Sequence, residues 1–287
     1  MRQTLDSWEL IIVDDNDPDW PERRETETVV AEYSTDRRVK YIRNPRNVGG
    51  GAARNAGIRA AGSEFVSFLD DDDEWHPTKL QRQLDCFDAA PADVALVYCR
   101  VRVVNAVTGR EALRPTDGRS HSVRDLLRRN TIGTTSAVLC RASALHEVGL
   151  FDEALPARQD LDLYIRIAQR YALAFVDEPL VTLFVHGRAR ISTDFAGSIR
   201  ALELFVEKYR SLIEADGEAQ RALRYQLGYL LAAATRYPEA RTVLLAAWRA
   251  NPADLQVITR LAMTYFVPRT VARSAKRSLR WLRAMRS

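Results

Sequence analysis

The chain alternates short apolar runs with amphipathic stretches, and each apolar run ends in polar or acidic residues. Trp8–Val13 (WELIIV) is apolar and β-branched and stops at Asp14 and Asp15, the pattern of a buried parallel strand delivering carboxylates at its C-terminal end. A helical stretch follows, then a second strand at Val39–Ile42, a small-residue helix at Gly51–Ala61 and a third strand at Phe65–Leu69 that terminates in four aspartates. Further strands are predicted at Val94–Val104, Ser136–Cys140, Leu173–Val176 and Leu180–Val185, with a helix at Leu161–Tyr171. This alternation predicts an α/β body over residues 1–195 with a mostly parallel central sheet and a site at its strand ends.

From Ala196 the β-rich pattern stops and helical periodicity takes over, which predicts an all-α extension over residues 196–287. Asn251 and Pro252 supply an N-cap and a proline for the first turn of a helix. Leu227, Gly228, Ala240, Leu244, Ala247 and Pro252 fall at the spacing of a tetratricopeptide repeat, giving a hairpin at about 221–254. The same residues admit a generic pair of antiparallel helices.

At 287 residues with 46% hydrophobic and 28% charged side chains, composition excludes wholesale disorder and a fibrous repeat. Cys86, Cys99 and Cys140 form no CxxC and no Cys/His cluster, which points away from a disulfide framework or structural zinc and toward a reducing compartment, the cytoplasm. No apolar run has the length of a membrane span. The net charge is +4, but Tyr265–Ser287 holds seven of the 42 basic residues and none of the 38 acidic ones, so the body is net negative. A basic tail on an acidic body does not read as a nucleic-acid binder.

Three segments carry candidate chemistry. In Phe68–Trp75 (FLDDDDEW) adjacent carboxylates repel, and a hard divalent cation such as Mg²⁺ or Mn²⁺ with oxygen ligands relieves them; the alternative is a solvated acidic turn. Asp14 and Asp15 end the earlier strand and bring carboxylates to the same sheet edge, where open α/β sheets bind ligands; the alternative for them is helix capping. Between them lies Arg43–Gly57 (RNPRNVGGGAARNAG), whose glycines open a helix. Its terminal amides, with Arg46 and Arg54, suit a diphosphate, although no GK[ST] follows.

Together with VGLFDEALPARQDLDLYIRIA, these segments resemble, in order, the landmarks of glycosyltransferase family 2, nucleotide-sugar-dependent enzymes of the GT-A fold; the resemblance covers about residues 3–193. It implies that Asp14 and Asp15 contact the base and ribose of the donor. Asn47, Gly49, Arg54, Asp70 and Asp71 would complete the donor site, and Asp72 would hold the metal with Asp70 and His186, Asp73 being a nearby support. The base would be Asp160, second in an acidic pair whose first member here is Gln159 instead of the commoner glutamate. The implied reaction is inverting: Asp160 takes the proton of an acceptor hydroxyl as its oxygen displaces a nucleoside diphosphate from the anomeric carbon. Partners would be a nucleotide-sugar donor and a carbohydrate or lipid-linked acceptor of the cell envelope.

The family also carries a strand and helix ahead of the position of Met1, so the resemblance leaves open an incomplete sheet with an exposed edge at Leu10–Val13 or further residues upstream. An incomplete site and Gln159 would also suit an inactive GT-A remnant acting as a scaffold. At the other end, residues 267–287 place Arg269, Arg273, Lys276, Arg277, Arg280 and Arg283 on one side of a helix and Val267, Val271, Trp281, Leu282 and Met285 on the other. This basic amphipathic helix fits a peripheral hold on an anionic membrane, or a terminal helix packed on the body with its arginines in solvent.

Overall fold

A computed structural model of the chain describes residues 3–116, 118–119, 121–185 and 195–266. They form two compact units, each gathered from separate stretches of sequence. The first takes the chain up to Val101 with Thr134–Ala154 and Asp162–Thr182; the second takes Arg102–Gly133, Leu155–Leu161 and the chain from Leu183 on.

In the first unit β1 (Leu10–Asp14) pairs in parallel with β2 (Val39–Arg43), Leu10 opposite Val39 and Asp14 opposite Arg43, across the helix α1 (Pro21–Ala31). Pro21 sits in the first turn of α1, where its missing N–H costs nothing. Helix α2 (Gly50–Ala60) packs on β1, and a Cβ at Gly57 would lie 3.4 Å from Val13 Cγ2. Leu10–Val13 are half-buried rather than buried as their apolar run predicts, and only Asp14 is closed off. Ahead of β1, Glu9 accepts from Lys40 Nζ and the backbone N–H of Gly62, each at 2.7 Å, and from the Ser63 hydroxyl. The Lys40 hydrogen bond and then the Gly62 N–H hold its carboxyl down at about 2.

A second sheet contains β3 (Phe65–Ser67), β4 (Asp73–Trp75), β5 (Val94–Asn105), β6 (Glu111–Leu113), β7 (Val138–Arg141) and β8 (Ala172–Val185). Its order is β3-β7-β5-β8-β4, with β6 on the far end of β5. The mostly parallel sheet is a correction: β3 with β7, β5 with β7, and β5 with β6 all pair antiparallel. Apolar periodicity carries no strand direction, since side chains alternate with a period of two in either orientation, and β7 enters between β3 and β5. The two runs predicted at Leu173–Val176 and Leu180–Val185 are one strand, β8, which continues through Pro179. Leu96, Val97 and Tyr98 of β5, Val138 and Cys140 of β7, and Leu163, Ile165 and Ile167 of α6 (Gln159–Ala168) are fully enclosed. Helix α3 (Lys79–Ala89) contributes Phe87 to a cluster with Val94, Val97 and Leu139.

The second unit carries α4 (Val123–Arg128), whose Ser122 and Asp125 form a reciprocal capping box, and the helices α7 (Phe195–Lys208), α8 (Arg210–Glu214), α9 (Gly217–Ala233), α10 (Tyr237–Ala250) and α11 (Leu255–Phe266). The short helix α5 (Ala142–Glu147) belongs to the first unit. Asp216 caps α9 by accepting from the N–H groups of Glu218 and Ala219. The small residues singled out by spacing meet across α9 and α10: Ala240, Leu244 and Ala247 are fully buried, and a Cβ at Gly228 would fall 2.5 Å from Leu244 Cγ.

That contact sets a test. Gly228→Ala gains about 1 kcal/mol of helix propensity but overpacks by about 1–3 kcal/mol, so urea denaturation should give a net loss of order 1 kcal/mol. Gly217→Ala, whose Cβ meets nothing within 4 Å, should cost nothing.

Candidate functional site

Both acidic strand ends of the first unit are organised by hydrogen bonds. Asp14 has a side chain with no solvent exposure. It accepts from Tyr41 Oη at 2.6 Å and Asn16 Nδ2 at 2.8 Å, and the Arg23 guanidinium lies 3.6 Å away. Burial, and then the hydrogen bond to Asp14, push the Tyr41 hydroxyl up to about 12. Arg23 is itself buried and donates to the carbonyls of Asn16 and Asn44.

Asp15 holds the glycine loop. Its Oδ1 accepts from Asn44 Nδ2 at 2.8 Å and Val48 N at 3.0 Å, and its Oδ2 from Gly49 N at 2.8 Å. Gly49 is the N-cap of α2 with φ of +89°, a backbone conformation that favours glycine. Asn47 is exposed; its side chain donates to the Asp15 carbonyl and its N–H to Asp17. Within α2, Asn55 bonds both backbone groups of Phe151, accepting from its N–H at 2.9 Å and donating to its oxygen at 3.0 Å.

The acidic run does not end the third strand directly. β3 stops at Ser67, and Asp70–Asp73 form a tight turn closed by Asp73 N donating to Asp70 O at 3.0 Å, with Asp73 opening β4. Asp70 accepts from Arg54 Nη2 at 2.6 Å and from Thr135 Oγ1 at 3.4 Å, and its N–H donates to Ser136 Oγ. Asp71 and Asp72 are exposed at the apex. Below the turn, Trp75 Nε1 donates to Ser136 O at 2.8 Å, and the fully buried Lys79 lies 4.1 Å from the Trp75 ring while donating to Ser67 Oγ and Gln83 Oε1.

Asp160 opens α6 in the second unit, where Asn130 Nδ2 donates to its Oδ2 at 3.1 Å. The amide of Gln159, in place of the commoner acid, donates to Leu155 O. His186 and the basic segment 267–287 lie outside the described residues. The second unit also holds a cleft of about 380 Å³ lined by Arg124, Arg128 and Arg221, but these cations are already paired with Asp216, Glu218 and Asp254.

The model of "Glycosyl transferase family 2" matches residues 1–153, more than half of the chain. The chain belongs to glycosyltransferase family 2. It is 33% identical over 197 residues to the "Putative colanic acid biosynthesis glycosyl transferase WcaA" of Escherichia coli, covering 67% of this chain and 68% of that one. The amylovoran biosynthesis glycosyltransferase AmsB of Erwinia amylovora is 31% identical over 182 residues, 61% of this chain and 58% of its own. The crystal structure of S. aureus TarS 1-349 in complex with UDP superposes with a TM-score of 0.53 at 16% identity, covering 96% of this chain and 85% of that one. The family-2 domain thus has the GT-A α/β fold, followed by helices.

Mg²⁺ and Mn²⁺ take hard oxygen ligands and are commonly held by one or two carboxylates, with phosphate oxygens completing the shell. Among the described residues no group of three or more His, Cys, Asp or Glu could hold a metal, so a cage built from those residues alone does not fit. A cation shared between the Asp70–Asp73 turn and a diphosphate does fit, because the turn presents exposed carboxylate oxygens at Asp71 and Asp72.

The roles of Lys79, Trp75 and Ser136 escaped the sequence reading. Burial pulls the Lys79 ammonium from its usual 10.5 down to about 8, against Cys99 and Cys140, which raise it. A base with a depressed folded value destabilises the fold wherever it is charged, and the penalty fades as pH rises from the folded value toward the unfolded one. From about pH 7.5 to about pH 9, wild type should therefore gain about 1 kcal/mol on Lys79→Met in urea denaturation. Parallel curves would contradict a charged Lys79 at neutral pH.

Proposed function

We propose that the chain is an inverting glycosyltransferase that moves a sugar from a nucleoside-diphosphate sugar to a hydroxyl acceptor in the synthesis of a cell-envelope polysaccharide or glycolipid. The observation that carries the reading is the acidic turn Asp70–Asp73, presented on a buried anchor and tied through Asp70 to Arg54. The envelope assignment is supported by the names of WcaA and AmsB, and the nucleotide by the UDP in TarS.

In this reading Arg54, the α2 N-terminus and the Gly49 loop bind the diphosphate of the donor. Asp160 takes the proton of the acceptor hydroxyl as its oxygen attacks the anomeric carbon from the side opposite the leaving group, so the configuration inverts. Asp72, with Asp70 and His186, would hold Mg²⁺ or Mn²⁺, which when bound offsets negative charge on the diphosphate. Asp14 and Asp15 support the base-proximal wall of the donor site by holding the loop that follows β2.

UDP release from a panel of UDP-sugars in Mn²⁺ tests the reading. Turnover should stop in EDTA and return with Mn²⁺. Asp160→Asn should cost about 10²- to 10⁴-fold in kcat at an unchanged thermal midpoint. Full turnover by Asp160→Asn removes it as the base, and failure to bind or turn over any nucleotide sugar favours a scaffold.

A further inference from the structure

Asn130 lies in a stretch that carries no readable motif in sequence, yet its side chain is fixed at three points. Its Oδ1 accepts from Gly133 N at 2.8 Å, its Nδ2 donates to Gly133 O at 3.0 Å, and the same Nδ2 donates to Asp160 Oδ2 at 3.1 Å. The Gly133 N–H can only donate, so it sets which end of the amide is oxygen, and the two amide hydrogens are then both assigned. The carboxylate of Asp160 therefore meets a donor whose orientation is set by backbone.

Gly133 makes that clamp possible. Its φ of +112° brings both its N–H and its carbonyl to one side chain, and a Cβ there would stand 3.2 Å from Arg114 Nη1. Arg114 is itself buried and donates to the Asn130 carbonyl at 3.5 Å. Arg114, Gly133 and Asn130 thus form a short chain of contacts ending on Asp160, all within the second unit.

We propose that Asn130 is a positioning residue for Asp160: its amide, locked by Gly133, fixes the rotation of the carboxylate that acts as base. The inference rests on the reading of Asp160 as that base. The choice of side chain fits the task. A lysine or arginine at this place would also orient the carboxylate but would stabilise its charged form more and make it a weaker base, whereas a neutral amide orients it at smaller cost in basicity.

Three variants test this with the UDP-sugar release assay. Asn130→Ala and Asn130→Asp, which keeps the shape but replaces the donor with an acceptor facing Asp160, should each lower kcat about tenfold with the KM for the UDP-sugar little changed, while the thermal midpoint falls modestly with the lost Gly133 bonds. Adding Asn130→Ala to Asp160→Asn should cost nothing further, because Asn130 acts only through that carboxylate. Wild-type kcat in Asn130→Ala or Asn130→Asp, beside a crippled Asp160→Asn, overturns the proposal and leaves the base in place. An active Asp160→Asn sinks both. A substrate-free measurement checks the contact itself: the side-chain amide resonances of Asn130, assigned by their loss in Asn130→Ala, should move in Asp160→Asn, and unchanged resonances overturn the proposal.

Discussion

Carboxylates gathered at strand ends repel one another, and the first unit is arranged around how that repulsion is met. Each acidic residue that is drawn inward has a fixed donor: Tyr41, Asn16 and Arg23 for Asp14, the Asn44 amide and two backbone N–H groups for Asp15, and Arg54 and Thr135 for Asp70. Those donors come from β2, α1, the glycine loop, α2 and the turn before β7, so the charges also tie together elements distant in sequence. Half-exposed ion pairs such as Arg54 with Asp70 are worth little by themselves, at about 1 kcal/mol or less, and their value is geometric. Asp71 and Asp72 stay exposed.

Residues read as chemistry and residues read as scaffold therefore turn out to be mixed. Asp15 lies in the segment that carries the family resemblance, and its carboxylate accepts from Asn44, Val48 and Gly49, so that through Gly49 it sets the start of α2. The resemblance places Asp14 against the donor, while its side chain is sealed behind Tyr41 and Arg23. Near the acidic turn in sequence, the buried Lys79 is the costly element: a charge taken from water and met by Ser67, Gln83 and the Trp75 ring.

Much of the fold was legible in sequence. Apolar runs ending in aspartates placed β1 and β3, and Gly228 with Leu244 announced the close approach of α9 and α10, because only small residues let two helices meet at that distance. Strand direction was not legible, since a period of two is the same in either orientation, and Pro179 divided in sequence what the backbone runs through as one strand. Of the site, the four aspartates were visible as charge but not as a turn. Asn130 was invisible because its partners, Gly133 and Asp160, are joined by folding; the spacing Asn-x-x-Gly was the one local signal.

The central claim is that the exposed apex of the acidic turn is the donor site of this family-2 transferase. Calorimetric titration of the chain with UDP, with Mn²⁺ and then with EDTA, and again with Asp72→Ala, tests it most directly. Binding that needs Mn²⁺ and disappears with Asp72→Ala, at an unchanged thermal midpoint, is the predicted result. Equal binding by Asp72→Ala, or binding indifferent to EDTA, would contradict it.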